Sequence, residues 1–256
     1  MTNINQLLRT LDGLLQPGEF ADYCPNGLQV AGPTDVRTLV TGVSAHQELF
    51  TRAAERGADL VLVHHGLFWN GAPRSLDAVA VRRLRVLLDH DIALAAYHLP
   101  LDGHQVHGNN ALLAAALGAE SWVPFARPKP THPPLGVAAT FPGDGITRAE
   151  LVDRVRTATE GREPLAFLDG PDPVRTVGIV SGSAADHIHD ALALGLDAFI
   201  TGEPAERVMA VARDYGITFL AAGHHATERF GVRRIGELLA AQHGLEHEFI
   251  DVPNPI

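Results

Sequence analysis

Sulfur, aromatic side chains and positive charge are scarce in this 256-residue chain. A single cysteine, Cys24, excludes an intramolecular disulfide framework and any cysteine-rich zinc module. The 30 acidic residues outnumber the 20 basic ones, and the formal net charge of -10 argues against nonspecific nucleic-acid binding. An anionic substrate would therefore need a local source of positive charge, such as metal ions.

Long hydrophobic runs are also missing. No uncharged apolar stretch approaches the roughly 18 residues of a membrane-spanning helix, so we expect no membrane partner. The opening segment MTNINQLLRTLDGLL carries charge among its apolar residues and has no small-residue cleavage signature. We interpret it as an amphipathic helix rather than a signal peptide. With only one cysteine, the chain is expected in the reducing cytoplasm.

Proline marks the clearest break in the chain. Five prolines lie between Pro124 and Pro134, where neither a helix nor a central strand is expected. Short β-branched runs alternate with amphipathic segments on both sides of the break, as in α/β folds with largely parallel strands. We therefore predict a first α/β half over 1–123, a linker over 124–134 and a second α/β half over 135–256. The C-terminal strand could pack with the first half.

An internal repeat relates the two halves. VRTLVTGVSA, starting at Val36, reappears as VRTVGIVSGSA, starting at Val174, and the offset of 138 residues continues without a gap to His65. Further on, LAAYHLPLD matches LAAGHHATE at an offset of 126. The order of strand, helix, strand and His-x-x-x-carboxylate recurs, which predicts two related α/β domains from an internal duplication. Pockets favour domain interfaces and the carboxyl ends of parallel strands, so we expect a metal site at their interface.

Histidines and carboxylates follow the predicted strands in both halves. In the first half, His64 and His65 end the strand LVLV, and the pair alone is more typical of polar residues at a sheet edge than of a metal site. Asp102 follows His98 by four residues, and Pro100 predicts a loop there, in which Asp102 is either a metal ligand or a turn or cap residue. Phe68 and Trp69 follow the histidines closely, and they either pack in the core, as such aromatics more often do, or stack on a planar substrate.

The second half supplies His224, His225 and Glu228 in GHHATERFGV. Thr227 could cap the following helix, with Glu228 in its first turn, and that capping role is the alternative to a ligand role. Glu203 falls opposite His65 in the repeat, either as an outer base or extra ligand, or as a residue that stabilises a helix start.

The number of candidate ligands favours two metals over one. A catalytic zinc site typically has three protein ligands, whereas five candidates are already present without His98. Mixed nitrogen and oxygen donors suit a pair of divalent ions with a bridging carboxylate and water. Without thiolate, the donors fit zinc, manganese, iron or cobalt, and their identity stays open. The five candidates are His64, His65, Asp102, His224 and Glu228.

At these residues the chain resembles the Nif-three-like family of dinuclear metal proteins, whose members are often called GTP cyclohydrolase 1 type 2 homologues. The shared motifs are PNGLQVAG, VTGVSA, DLVLVHHGLFW, HLPLD, the SG turn, DAFITGE, GHHATERFGV and EFIDVPNPI. The resemblance implies two metal ions per chain on the five candidates above, with Glu228 as the bridge, and a homo-oligomer, often a hexameric ring. Two departures are HHG for the frequent HHP and GHHATE for GHYATE, which puts His225 at a usually aromatic position.

Two classes of function follow from this resemblance. The first is a metal-dependent hydrolase of a nucleotide-like substrate, with GTP as the first candidate, in which the ions activate a bridging water. Glu203, His98 and His225 would then be the catalytic residues that move protons. The second is a non-enzymatic metal-binding or scaffold protein that binds a nucleotide or a partner protein.

Overall fold

The computed structural model describes residues 1–256, which form two compact α/β units. The first unit comprises Met1–Leu101 and Gly231–Pro253, and the second comprises Asp102–Phe230 and Asn254–Ile256. No helix is long and apolar enough to cross a membrane.

The elements up to the first boundary are β1 (Thr2–Asn3), α1 (Ile4–Leu15), β2 (Gly27–Val30), β3 (Asp35–Val36), β4 (Thr38–Ser44), α2 (Gln47–Glu55), β5 (Leu60–His65), α3 (Ala78–Asp89), β6 (Ala93–Ala96) and α4 (Leu99–Gly103). Those that follow are α5 (Asn109–Ala116), β7 (Ser121–Phe125), β8 (Gly136–Thr140), α6 (Arg148–Ala158), β9 (Leu165–Leu168), β10 (Thr176–Val180), α7 (Ile188–Ala193), β11 (Ala198–Thr201), α8 (Val208–Tyr215), β12 (Thr218–Ala221), α9 (His224–His243) and β13 (Glu246–Phe249). Two 3-10 turns cover Pro17–Glu19 and Ala185–His187.

The first unit is built on a five-stranded sheet with the order β13-β4-β5-β6-β2. Strands β13, β4, β5 and β6 run parallel, and β2 is antiparallel to β6. The sheet has a hydrophobic cluster on each face, which explains why β5 begins with a continuous apolar run. As the sequence predicted, α1 is amphipathic, and Leu7, Leu11 and Leu15 are buried on one face.

The second unit contains a six-stranded sheet with the order β7-β8-β10-β11-β12-β9. Strands β10, β11 and β12 are parallel, whereas β8 and β9 are antiparallel to their neighbours β10 and β12. Hydrophobic clusters again cover both faces. The hydroxyl of Thr147 caps α6 by accepting a hydrogen bond from the amide of Glu150 at 3.1 Å, as its T-x-x-E motif predicts.

The two units share part of their strand order, since β4-β5-β6-β2 matches β10-β11-β12-β9, and they share a specific anchor. In the first unit, Asp59 Oδ2 accepts from the amides of Arg37 and Thr38 at 2.7 and 2.9 Å. Asp197, 138 residues later, accepts from the amides of the equivalent Arg175 and Thr176 at 2.8 and 3.0 Å. These matched bonds, like the mixed α/β architecture, are consistent with an internal duplication.

The third strand of the repeat differs by one residue from the sequence match. Ala93 pairs with Leu60, and Thr218 pairs with Ala198, so the equivalent residues Ala93 and Thr218 are 125 positions apart rather than 126. The extra residue in the second unit is accommodated after β12, where Gly223 has a φ of +98°. His98 and His224 are therefore not at strictly equivalent positions.

The predicted linker over 124–134 does not separate the units. Phe125 and Gly136 are paired, so most of the segment is the loop of the β7–β8 hairpin inside the second unit. Pro124 lies in β7, which is at the edge of the sheet, where proline is compatible with a strand. The boundary lies instead after Leu101, and the chain returns to the first unit at Gly231. The C-terminal strand β13 pairs with β4 of the first unit.

Candidate metal centre

In the first unit, three histidines come together at the carboxyl end of the sheet. His64 and His65 end β5, and their ring centroids are 4.6 Å apart. His98 follows β6, and one ring nitrogen from each of the three lies within 4.8 Å of the others. The three imidazoles could therefore hold a metal ion.

Hydrogen bonds at Nδ1 orient these rings. His64 Nδ1 donates to the carbonyl oxygen of Tyr97 at 3.1 Å, and His65 Nδ1 shares a 3.0 Å hydrogen bond with the hydroxyl of Ser44. Metal-bound histidines typically hold their second nitrogen in this way, which fixes the tautomer and the direction of the ring. Nε2 is therefore the nitrogen that would ligate a metal.

Asp22 is a site residue that the sequence did not indicate. Its Oδ1 accepts from His98 Nδ1 at 2.9 Å, and its Oδ2 accepts from the amide of Leu99 at 2.9 Å. The side chains of Asp22 and His98 are only 3% and 6% exposed. Burial by itself raises the pKa of Asp22, but hydrogen bonding to and Coulombic attraction by His98, together with the amide of Cys24 and the side chain of Asn26, lower it overall. By binding Nδ1, this carboxylate fixes the ring of His98 and the direction of its Nε2.

In the second unit, the candidate ligands surround Glu228. Helix α9 begins at His224, so His224 and Glu228, four residues apart, share one face of its first turns. His224 Nε2 lies 3.0 Å from Glu228 Oε2. On the other side of the ring, His224 Nδ1 is hydrogen-bonded to Glu203 Oε1. Glu203 thus holds His224 as Asp22 holds His98.

Thr227 does not cap this helix, contrary to the sequence interpretation. Because α9 begins three residues earlier, Thr227 lies in its first turn, and its hydroxyl donates to the carbonyl oxygen of Gly223 at 2.9 Å. Glu203 does not stabilise a helix start either, because α8 begins only at Val208. Thr227 and Glu203 therefore do not have the helix-start roles that were the alternatives to a role at the site.

Asp102 lies in helix α4, not in the loop that Pro100 predicted. Proline is tolerated there because the first turn of a helix needs no intrahelical donor. Asp102 Oδ1 accepts from Asn109 Nδ2 at 2.8 Å and from the hydroxyl of Ser181 at 3.0 Å. Its carboxylate also lies within 4.8 Å of that of Glu228. Two buried carboxylates this close favour a cation between them.

Gly182 makes room for the carboxylate of Glu228. A Cβ at this position would lie 2.4 Å from Glu228 Oε1 and 3.2 Å from His224 Nε2, and the backbone φ of +67° also favours glycine. The SG turn therefore has two effects: the hydroxyl of Ser181 donates to Asp102, and the missing side chain of Gly182 leaves the space that Glu228 occupies.

The charge around His224 already attracts a cation. Burial lowers the pKa of His224, but hydrogen bonds and Coulombic attraction from Glu228 and Glu203 outweigh it and raise the pKa to about 9. A proton therefore binds strongly between His224 and Glu228 at neutral pH. A divalent ion would take the same position in exchange for that proton.

His225 is buried at the start of α9, and its amide donates to the carbonyl oxygen of Ile256 at 3.1 Å. This contact assigns it no chemical role. Trp69 lies beside the histidines of the first unit, with centroids 5.2 Å from His98 and 5.9 Å from His65. Trp69 is therefore a neighbour of the candidate ligands as well as a partly buried core residue.

The donor set fits a borderline divalent metal. Each unit contributes imidazole with oriented Nε2 or carboxylate oxygen, and Cys24 is buried, with a thiol pKa raised by burial. Imidazole and carboxylate without thiolate suit zinc, manganese, iron or cobalt. The fold and these residues define a class: a two-unit α/β protein in which each unit carries groups able to bind metal.

The chain belongs to the Duf34/NIF3 (NGG1p interacting factor 3) family, whose profile matches residues 2–255. A relative from Pseudomonas aeruginosa, named GTP cyclohydrolase 1 type 2 homolog, is 44% identical over 252 residues, which cover 98% of each chain. A relative of the same name from Haemophilus influenzae is 40% identical over the full length of both chains.

Solved structures support the same assignment. A structure described as protein ybgI, of unknown function, superposes with a TM-score of 0.93 at 39% identity and full coverage of both chains. The protein TTHA1606 from Thermus thermophilus gives a TM-score of 0.90 at 36% identity, again with full coverage. The predicted family is thus confirmed.

Proposed function

We propose that this protein is a hydrolase that depends on two divalent metal ions and acts on a nucleotide-like substrate, with GTP as the first candidate. The observation that carries the proposal is the orientation of four histidines by hydrogen bonds at Nδ1, together with the buried carboxylates Asp102 and Glu228. The name GTP cyclohydrolase 1 type 2 homolog of the relatives supports GTP as the first substrate to test.

We propose that the donors of both units serve one dinuclear centre. The first unit supplies nitrogen ligands, His64 and His65, and the second supplies His224 with the carboxylates Asp102 and Glu228. Such a mixture of donors suits a pair of divalent ions, which these five side chains would hold, with Glu228 shared between them as the family resemblance implies. When bound, the ions supply Lewis acidity and activate water for attack on the substrate.

The chain's own residues have defined tasks in this reaction. Asp22 and Glu203 hold the rings of His98 and His224 through Nδ1, so that their Nε2 atoms keep one direction. His98 is the candidate that would hold or deliver a proton, because Asp22 anchors its ring and the ring lies 4.9 Å from that of His64 between centroids. Ser181 and Asn109 donate to Asp102 and fix the direction of its carboxylate. His225 stays a candidate proton carrier only by its place beside His224.

The direct test is GTP turnover by metal-loaded protein. Glu228→Ala is expected to lower kcat/KM by more than the ~10–100-fold typical of losing an outer partner of a metal ligand. Glu237→Ala is the matched control, because Glu237 lies on the same helix and forms only exposed ion pairs with Arg233 and Arg234. Products are followed by chromatography, and the metal content of every variant is measured.

If metal-loaded protein converts neither GTP, other nucleotides nor simple phosphoesters above the Glu228→Ala background, the hydrolase proposal is wrong. The non-enzymatic metal-binding or scaffold role would then be the better description. We also propose that the protein works in the cytoplasm as a homo-oligomer, with the hexameric ring implied by its family. Sedimentation analysis of the purified protein checks the assembly.

A further inference from the structure

The first unit contains a cavity of about 610 Å³ that none of the candidate metal ligands lines. Its walls are the segment that follows β5 and the first turns of α3. Leu67, Phe68, Trp69, Leu76 and Val79 make much of the lining apolar. The volume lies in the range of small-molecule sites, about 300–1,000 Å³.

Trp69 is shared by this cavity and the histidine cluster. Its indole nitrogen donates to the carbonyl oxygen of Gly66 at 3.0 Å, which fixes the ring. The ring lines the cavity, and it lies 5.9 Å from His65 and 5.2 Å from His98 between centroids. A ligand in the cavity would therefore be separated from the imidazoles by one aromatic side chain.

The cavity also has a positive charge that is unusual in this acidic chain. Four of its 20 basic residues fall within positions 74–85, and the segment has one acidic residue, Asp77. Arg74 and Arg83 line the cavity. Arg83 Nε is shielded from solvent and has no hydrogen-bond partner, which favours an anionic ligand that would satisfy it. Asp77 is engaged in capping α3, since its Oδ1 accepts from the amide of Ala80 at 2.8 Å.

We infer that this cavity binds a nucleoside phosphate, with the planar base against Trp69 and Phe68 and the phosphates at Arg74 and Arg83. Aromatic rings bind planar bases by stacking, and the arginine fork matches phosphate oxygens. The choice of a nucleotide as the ligand rests on the proposed function. The apolar and cationic lining of the cavity is observed independently of that function. The cavity supplies the positive charge that the composition of the whole chain lacks.

The test uses Trp69 as its own reporter. The chain has two tryptophans, so Trp122→Phe leaves Trp69 as the single indole. The variant is stripped of metal with a chelator, so that phosphates cannot bind through ions, and is titrated with GTP while Trp fluorescence is recorded. We expect saturable quenching, with guanosine and pyrophosphate each binding more weakly than GTP. Calorimetry of the chelated wild-type protein with GTP repeats the measurement if Trp122→Phe fails to fold.

Arg83→Gln and Arg85→Gln form the matched pair of variants. Arg85 is an exposed arginine on the same helix that does not line the cavity. Loss of one charge-assisted contact should weaken GTP binding by about tenfold in Arg83→Gln, with a change below about twofold in Arg85→Gln.

Three results would overturn the inference. The first is the absence of saturable quenching or heat on addition of GTP, and the second is an equal loss of GTP affinity in both arginine variants. The third is a changed sedimentation coefficient of Arg83→Gln with unchanged GTP binding. The last would mean that copies of the chain meet at this face. The test is separable from the proposed hydrolase. GTP that binds but is not converted refutes only the hydrolase, whereas GTP turnover by Arg83→Gln with kcat/KM equal to that of the wild type refutes only the cavity.

Discussion

A methyl group added at Gly182 should remove metal from the protein without unfolding it. In Gly182→Ala, the new Cβ would lie 2.4 Å from Glu228 Oε1, although Cβ atoms essentially never come within 3.0 Å of another heavy atom. The difference means that Oε1 must move by at least 0.6 Å, or the turn must open. Metal–ligand distances vary by only about 0.2 Å, so Glu228 could not keep its place in a centre.

The substitution has a second cost that must be separated from the first. Alanine in the left-handed region costs roughly 1–2 kcal/mol of stability. Gly195→Ala carries the same cost without the contact, because Gly195 has a φ of +66° and a Cβ there would meet nothing within 4 Å. Both variants should therefore lose similar thermal stability, and only Gly182→Ala should lose metal affinity, by at least the ~10–100-fold seen when a ligand is disturbed.

The assay is metal content by mass spectrometry after purification without chelators, followed by competition with a chromophoric chelator. Circular dichroism melting of both alanine variants measures the shared backbone cost. Metal content and affinity in Gly182→Ala equal to those of Gly195→Ala would show that Glu228 and His224 do not hold metal through the atoms that face Gly182. The placement of the ligand set would then be wrong.

Four further variants test other parts of the molecule. Asp22→Asn should cost about 1–3 kcal/mol of stability and weaken metal binding about tenfold, as measured by chemical denaturation and chelator competition, and unchanged metal affinity would limit Asp22 to a structural role. Burial lowers the pKa of His247, whose Nε2 lies 2.8 Å from Thr41 Oγ1. The unfolded chain therefore binds a proton at this residue more readily than the folded protein does. The free energy of unfolding of the wild type should fall by at most about 1.4 kcal/mol per pH unit as pH drops below about 6.5. Denaturation curves of His247→Gln should lack that part of the slope, and an identical slope would contradict the assignment. Asp59→Asn and Asp197→Asn should each lose about 1–3 kcal/mol, and a cost in only one would show that the repeated anchor is not energetically equivalent.

Much of the candidate site could be predicted because its residues follow strands that the hydrophobic pattern reveals. His64 and His65 end an apolar run that had to be a buried strand, and the repeat drew attention to His224 and Glu228 in the other half. Glu203 was suggested by its place opposite His65 in the repeat. The apolar runs are local in the sequence, and the internal repeat is found by comparing the two halves. Neither pattern requires knowledge of tertiary contacts.

Other features depend on contacts that no local pattern encodes. Asp22 is 76 residues from His98, and only the folded chain brings its carboxylate to that ring. Pro100 predicts a loop, but the first turn of a helix accepts proline, and Asp102 is helical. Pro124 suggested a linker, although at a sheet edge proline is compatible with a strand. In both cases the general tendency of proline to avoid helix interiors and central strands holds. The sequence did not reveal that Pro100 lies in the first turn of a helix and Pro124 in an edge strand.

Pro124 also affects how the protein behaves at high concentration. Strand β7 is an outer strand, and Val123 beside the proline is exposed. A short apolar edge of this kind is a template on which a strand from another molecule could add and start aggregation. Proline within an edge strand is one of the features that discourage such addition, so the residue that obscured the domain boundary in the sequence helps to keep separate molecules from joining their sheets.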